Sequence, residues 1–192
     1  MKTSTRWLIA TALPLAAAAA QAHTGDHSHI GGFVEGALHP LTGPDHLAAM
    51  LAVGIWSAMA LKHPLRAPLA FAASLLAGAL LSMATGWQMP AMEAAITVSL
   101  AVLGLLVALR LAMPPAAGAA TAAILAFSHG AAHGLELSGP AALAGMVAST
   151  AVLHGVGLAL GWKLRNAPVL ARALLGASVA ALAVARLSGV AG

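Results

Sequence analysis

The chain has 192 residues, 60% of them hydrophobic and only 7% charged, with a mean hydropathy of +0.91; a soluble domain carries about 25% charged residues, so an ordinary soluble fold is excluded and an integral membrane protein is expected. Nine Lys/Arg against five Asp/Glu give a net charge of +4, but the basic residues stand singly between apolar runs and read as topology signals, so nucleic acid is not an expected partner. The absence of cysteine removes disulfides, thiolate metal sites and Cys nucleophiles together.

Lys2 and Arg6 precede an apolar stretch from Trp7 to Ala20, and Ala20-Gln21-Ala22 is a small-x-small site of the kind signal peptidase cuts. Residues 1–22 therefore read as a cleaved signal peptide, the core being short for a span of about 20 residues. Cleavage after Ala22 makes His23 the mature N-terminus, and its amine and imidazole together can chelate a divalent metal. With His27 and His29 close behind, residues 23–38 read as an exported His-rich arm for metal capture; a plain polar linker is the competing reading.

Residues 39–192 form the expected transmembrane helical domain. Polar or Pro/Gly-rich breaks divide it into about six spans, near 43–61, 67–87, 91–109, 116–137, 140–162 and 169–188, each close to the length a bilayer needs. Lipid offers the backbone no hydrogen-bond partners, so these are helices. The fold class is an all-α membrane protein, a polytopic bundle of about six transmembrane helices after a cleaved signal peptide. An exported N-terminus puts Lys62, Arg66, Arg110, Lys163, Arg165 and Arg172 in the cytoplasm and leaves Arg186 outside with Glu93 and Glu136, in keeping with the positive-inside rule. The expected location is the bacterial inner membrane, multi-pass, with the mature N-terminus on the periplasmic side.

Two polar islands interrupt this apolar domain. The first, His39-Pro40-Leu41-Thr42-Gly43-Pro44-Asp45-His46, sits at the entrance of the first span. Pro44 suits the first position of a helix, Asp45 and His46 fall in its first turn, and His39 lies before the break, where an irregular segment would fold it back toward His46. The second island runs from Ser128 to Glu136. His129 and His133 are at i and i+4, so one helix face offers two imidazoles to a single ion, and Glu136 follows three residues on, able to ligate or to orient His133. Ionisable groups are expensive in lipid and mark pathways or sites. The rival explanations are a carboxylate complementing a helix dipole in the first island and glycine-mediated helix packing in the second.

The first and fourth spans are antiparallel, so both islands come toward the outer half of the membrane. At about 1.5 Å per residue, His46 lies near the outer face, His133 a little deeper, His129 near mid-membrane and His154 below it, a descending series suited to handing a cation inward. Imidazole and carboxylate without thiolate suit Ni(II), Co(II), Zn(II) or Cu(II), and ligand type does not choose among them. Because imidazole must be neutral to ligate, metal uptake should weaken as the outside pH falls below about 6.5, the reference value for His.

His39-Pro40-x-x-Gly43-x-Asp45-His46 resembles the His-Pro-x-x-Gly-x-Asp-His signature of the HupE/UreJ family of hydrogenase and urease accessory membrane proteins. Phe127-Ser128-His129-Gly130-x-Ala132-His133-Gly134-x-Glu136 is similar to that family's second signature. The likeness covers essentially the whole chain. It implies a nickel permease rather than an enzyme, with some relatives linked to cobalt, that supplies metal for nickel enzymes, with His39, Asp45, His46, His129, His133 and Glu136 as the metal-handling positions.

The resulting expectation is a Ni2+ permease working by facilitated diffusion, since no nucleotide-binding loop is found. Co2+ and Zn2+ are the alternative ions, no organic cofactor is expected, and the partners are the metal ion, the lipid bilayer and, functionally, hydrogenase or urease maturation proteins. His23, His27 and His29 would capture the ion. Two rivals are weighed: an intramembrane zinc-dependent hydrolase, which lacks an H-E-x-x-H pair, and a b-type haem subunit with His129 or His133 paired to His154. A helical partner subunit with no pathway of its own is a third.

Overall fold

The computed structural model describes residues 32–137 and 139–188, and every regular element among them is a helix. In chain order these are α1 (Phe33–Thr42), α2 (Pro44–Ala60), α3 (Arg66–Thr85), α4 (Met92–Leu109), α5 (Pro115–Glu136), α6 (Pro140–Leu164) and α7 (Val169–Leu187). The last six coincide closely with the six spans read from the sequence. The signal segment and His23, His27 and His29 lie outside the described residues.

Local chemistry explains where the helices start and stop. Pro44, Pro115 and Pro140 each open a helix, where the missing N–H leaves no partner wanting. Gly86 ends α3 with φ 67°, the left-handed conformation that glycine adopts without a Cβ clash. Arg110 takes the same conformation at the end of α4 with φ 49°, an unfavourable choice for a side chain of its size. Two hydrogen bonds hold it there: Nε donates to the Met59 carbonyl at 2.7 Å, and Nη1 to that of Arg165 at 3.1 Å.

Helix α2 runs through the centre and touches each of the other six. Its side chains from Ala52 to Met59 are all buried. Around it the helices pair through small residues that let backbones meet, as expected where lipid supplies no hydrophobic drive between helices. A Cβ at Gly130 of α5 would stand 2.0 Å from the Leu75 carbonyl oxygen of α3, and one at Gly134 would stand 2.2 Å from that of Ala79. Gly54 of α2 faces Gly157 of α6, and Gly104 of α4 faces Gly176 of α7, at similarly short range.

The distribution of polarity is that of a membrane protein. Ile124, Leu69 and Val184 are 74%, 66% and 66% exposed, while Asp45, His129 and His133 are 6%, 1% and 0% exposed. Apolar surface turned outward over buried ionisable groups is unstable in water and natural in lipid. Helices α3, α4, α6 and α7 are long and apolar enough to cross a membrane by length and composition alone. Helix α2 has 17 residues and is buried from Ala52 to Met59, and α5 is buried from Ser128 to Gly134, so these two bring the polar side chains to the bundle's interior.

One expectation is corrected here. The segment before Gly43 is not irregular: α1 carries His39 with Pro40 inside it, and it packs against α6, where a Cβ at Gly145 would fall 2.0 Å from the Phe33 carbonyl oxygen. Pro40 has no N–H for the Gly36 carbonyl, and the helix ends two residues later at Thr42, before the chain breaks at Gly43 with φ −91° and ψ 112°. That break, rather than a flexible loop, turns His39 back over His46.

Candidate metal centre

Three helix termini meet at one end of the bundle: the end of α1 with His39, the start of α2 with Asp45 and His46, and the end of α5 with His129, His133 and Glu136. Four imidazoles are thereby linked in a chain of ring contacts centred on His46. The ring centroids of His46 and His133 are 4.4 Å apart, those of His39 and His133 4.7 Å, those of His46 and His129 5.2 Å, and those of His39 and His46 6.2 Å. The two sequence islands therefore form one site.

The carboxylates are attached to this cluster. Nε2 of His39 lies 3.1 Å from Oε2 of Glu136, and Nδ1 of His133 lies 3.4 Å from the same oxygen. His39, His133 and Glu136 each offer one ligand atom within 4.8 Å of the others, a grouping able to hold a metal ion. Oδ1 of Asp45 accepts the backbone N–H of His46 at 2.9 Å and lies 3.0 Å from Nδ1 of the same residue.

These contacts set which nitrogen each imidazole can offer. A proton on Nδ1 of His46, shared with Asp45, leaves the Nε2 lone pair free, and that atom is buried with no hydrogen-bond partner. His129 is oriented from α4: Ser99 Oγ donates to the Ile96 carbonyl at 2.7 Å, so the N–H at Nε2 of His129 donates to that oxygen, also at 2.7 Å. The free lone pair is then on Nδ1 of His129, again buried and unpartnered; on His133 Nδ1 faces the Glu136 carboxylate at 3.4 Å and Nε2 is buried without a partner. Buried polar atoms are almost always paired; among the described residues Ser82, Thr150, His154 and Arg172 also carry an unpaired one, but only His46, His129 and His133 bring theirs to linked imidazoles, a grouping that could serve as a donor set.

Burial is graded across the site. Side-chain exposure falls from 52% at Glu136 through 29% at His39 and 13% at His46 to 0% at His133. Below the cluster the Phe71 ring touches both His129, at 6.1 Å between centroids, and His154, at 5.2 Å. His154 is thus set apart by an aromatic side chain, and the four upper imidazoles form a compact group instead of one rung per level.

Sequence reasoning missed three contributors. Ser99, unremarkable in an apolar helix, orients His129. Gly43 is more than a helix-start residue, because a Cβ there would stand 2.8 Å from His46 Nδ1 and 3.0 Å from Asp45 Oδ1. Arg186 of α7 pairs with Asp45 and with Glu93 of α4. The available signal was its status as the lone basic residue on the side otherwise assigned to acids.

Comparison with known proteins agrees with this architecture. The HupE / UreJ protein family matches residues 11–186. Protein HupE of Rhizobium leguminosarum bv. viciae is 38% identical over 160 residues, covering 81% of this chain and 81% of the relative. No solved structure matches. The chain, an apolar bundle with seven helices among the described residues and the two His islands joined at one end, is matched along almost its whole length and belongs to the HupE/UreJ family of multi-pass membrane proteins.

Proposed function

We propose that this protein is a permease for divalent nickel, with cobalt as the second candidate ion, supplying metal to nickel enzymes such as hydrogenase or urease. Members of its family are transport-related accessory proteins, not enzymes. The observation that carries the reading is the set of buried, unpaired imidazole nitrogens on His46, His129 and His133, with the His46 ring against each of the other two. A purely structural cluster would have spent those lone pairs on hydrogen bonds.

In this reading the ion first meets Glu136 and His39, the most exposed donors, and passes to His46 and His133 as it sheds water. Asp45 and Ser99 act through His46 and His129 by fixing their tautomers. Imidazole nitrogen suits nickel, cobalt and zinc better than magnesium or calcium. Transport is by facilitated diffusion across the bacterial inner membrane, with the His-bearing end on the periplasmic side and the end carrying Lys62, Arg110 and Lys163 in the cytoplasm, as positive-inside topology favours. The exported arm with His23, His27 and His29 serves as a capture segment.

Uptake by cells expressing the protein, with nickel, cobalt and zinc in competition, tests the proposal. The expected result is protein-dependent nickel accumulation that is lost in His46→Ala and in His129→Ala at normal protein levels. Undiminished uptake in both variants would remove the site assignment. Accumulation of zinc with nickel excluded would overturn the choice of ion.

A further inference from the structure

Arg186 is the charged group that this transport reading leaves without a role. It stands in the last turn of α7, and its two terminal nitrogens serve different carboxylates: Nη1 donates to Oδ2 of Asp45 on α2, and Nη2 to Oε2 of Glu93 on α4. Asp45 is itself the partner of His46, so the guanidinium is one residue removed from the imidazole cluster.

We infer that Arg186 is a specificity-determining residue of the cation site: by occupying the Asp45 and Glu93 carboxylates it withholds oxygen donors, so that an entering ion is selected by imidazole nitrogen. The inference rests on the permease reading above.

Two arguments support it. The first is donor chemistry. Magnesium and calcium bind through oxygen, whereas nickel, cobalt and zinc accept imidazole. Uncovering Asp45, which lies against His46, and Glu93, which shares its guanidinium, would add oxygen donors at this end attractive to the hard cations. Covering them discriminates against those ions without any new contact to the favoured one. The planar guanidinium suits this task because its separate N–H groups reach two carboxylates at once, which a single ammonium does not do equally well.

The second argument is charge. Arg186 pairs with the carboxylates of Asp45 and Glu93, and a third carboxylate, Glu136, pairs with His39 and His133 of the imidazole cluster. With imidazoles neutral, three carboxylates against one guanidinium leave a formal charge of −2, which one divalent cation neutralises. Without the guanidinium the same groups carry −3, and a divalent ion leaves the site still negative, open to further cations and slow to release the first.

The test is nickel binding by the purified full-length protein in detergent as magnesium is raised. In the native chain nickel binding should persist in excess magnesium. In Arg186→Gln the magnesium concentration that halves nickel binding should fall by about tenfold or more, and Arg186→Lys should lie between the two. The double variant Arg186→Gln/Glu93→Gln restores the charge of −2 and removes one uncovered carboxylate, so it should regain much of the magnesium resistance. Weaker nickel binding in Arg186→Gln with an unchanged magnesium response would mean that Arg186 only props α7 against α2 and α4, and would overturn the inference. If Arg186→Gln does not yield folded protein, a native magnesium response in Arg186→Lys overturns it instead. A native chain that binds no nickel ends the permease reading itself, and this inference with it.

Discussion

The two ends of the bundle differ in where unpaired polar atoms gather: one has Arg172 Nε alone, the other a cluster of imidazole nitrogens. At the end where α2 and α4 finish, Arg110 spends its donors on the Met59 and Arg165 carbonyls, and Trp56 Nε1 donates to the Leu111 carbonyl at 2.9 Å. At the other end His46, His129 and His133 keep buried nitrogens without partners. An unsatisfied buried polar group costs about 1–3 kcal/mol, so the second arrangement weakens the fold that the first strengthens. In the proposed reading, the difference separates residues that hold the bundle together from residues that it holds ready for an ion.

Substitutions at the two ends should therefore fail in different ways. The largest effect on metal binding is expected for His133→Ala, which removes the imidazole in contact with both His39 and His46. Nickel affinity, followed by calorimetry on purified protein, should fall by about 100-fold or more while the helical content stays native. Loss of the helical signal together with binding would instead place His133 among the packing residues.

Ser99→Ala should have a smaller effect. It frees Nε2 of His129 from the acceptor that fixes its tautomer, and the expected loss is about tenfold in affinity. Because the hydroxyl oxygen acts as an acceptor here, Ser99→Thr should restore binding where Ser99→Ala does not. Equal binding in Ser99→Ala and the native chain would show that the hydroxyl does not orient the ring.

Gly43→Ala tests the glycine beneath the site. Its Cβ would press on the ends of His46 and Asp45, movable side chains rather than backbone. The expected result is a loss of about threefold to tenfold in nickel affinity with little change in thermal stability. A large fall in melting temperature would locate the requirement in the backbone turn.

The smallest effect on metal is expected at the opposite end. Arg110→Ala removes two hydrogen bonds and leaves a left-handed residue unsupported. Stability should drop by about 2–3 kcal/mol, measured by thermal melting in detergent, while nickel affinity of the folded fraction changes by less than about twofold. A comparable loss of affinity would abolish the contrast between the ends.

Much of this was legible in the sequence. Apolar runs bounded by Pro and Gly placed α2 to α7 because a bilayer fixes both the length and the hydrogen bonding of a span. The i, i+4 spacing of His129 and His133 and the antiparallel sense of α2 and α5 were enough to bring the two islands to one end. The helical state of α1 was hidden by Pro40, which argues against a helix until its place in the last turn is known. Ser99 and Arg186 could not be read because their partners lie 30 and 141 residues away in sequence, and only the packing of α4 and α7 against the centre brings them together. Even so, a lone arginine on the acidic side of the topology was a conflict in the pattern, and the structure resolves it as an ion pair.

The most direct measurement is nickel X-ray absorption on the purified full-length chain loaded with one equivalent of metal. The account expects two or more imidazole nitrogens bonded to the nickel, with that scattering diminished in both His46→Ala and His133→Ala, which lie on different helices. A nickel ion surrounded by water and carboxylate oxygen alone, or a spectrum that neither substitution alters, would contradict it.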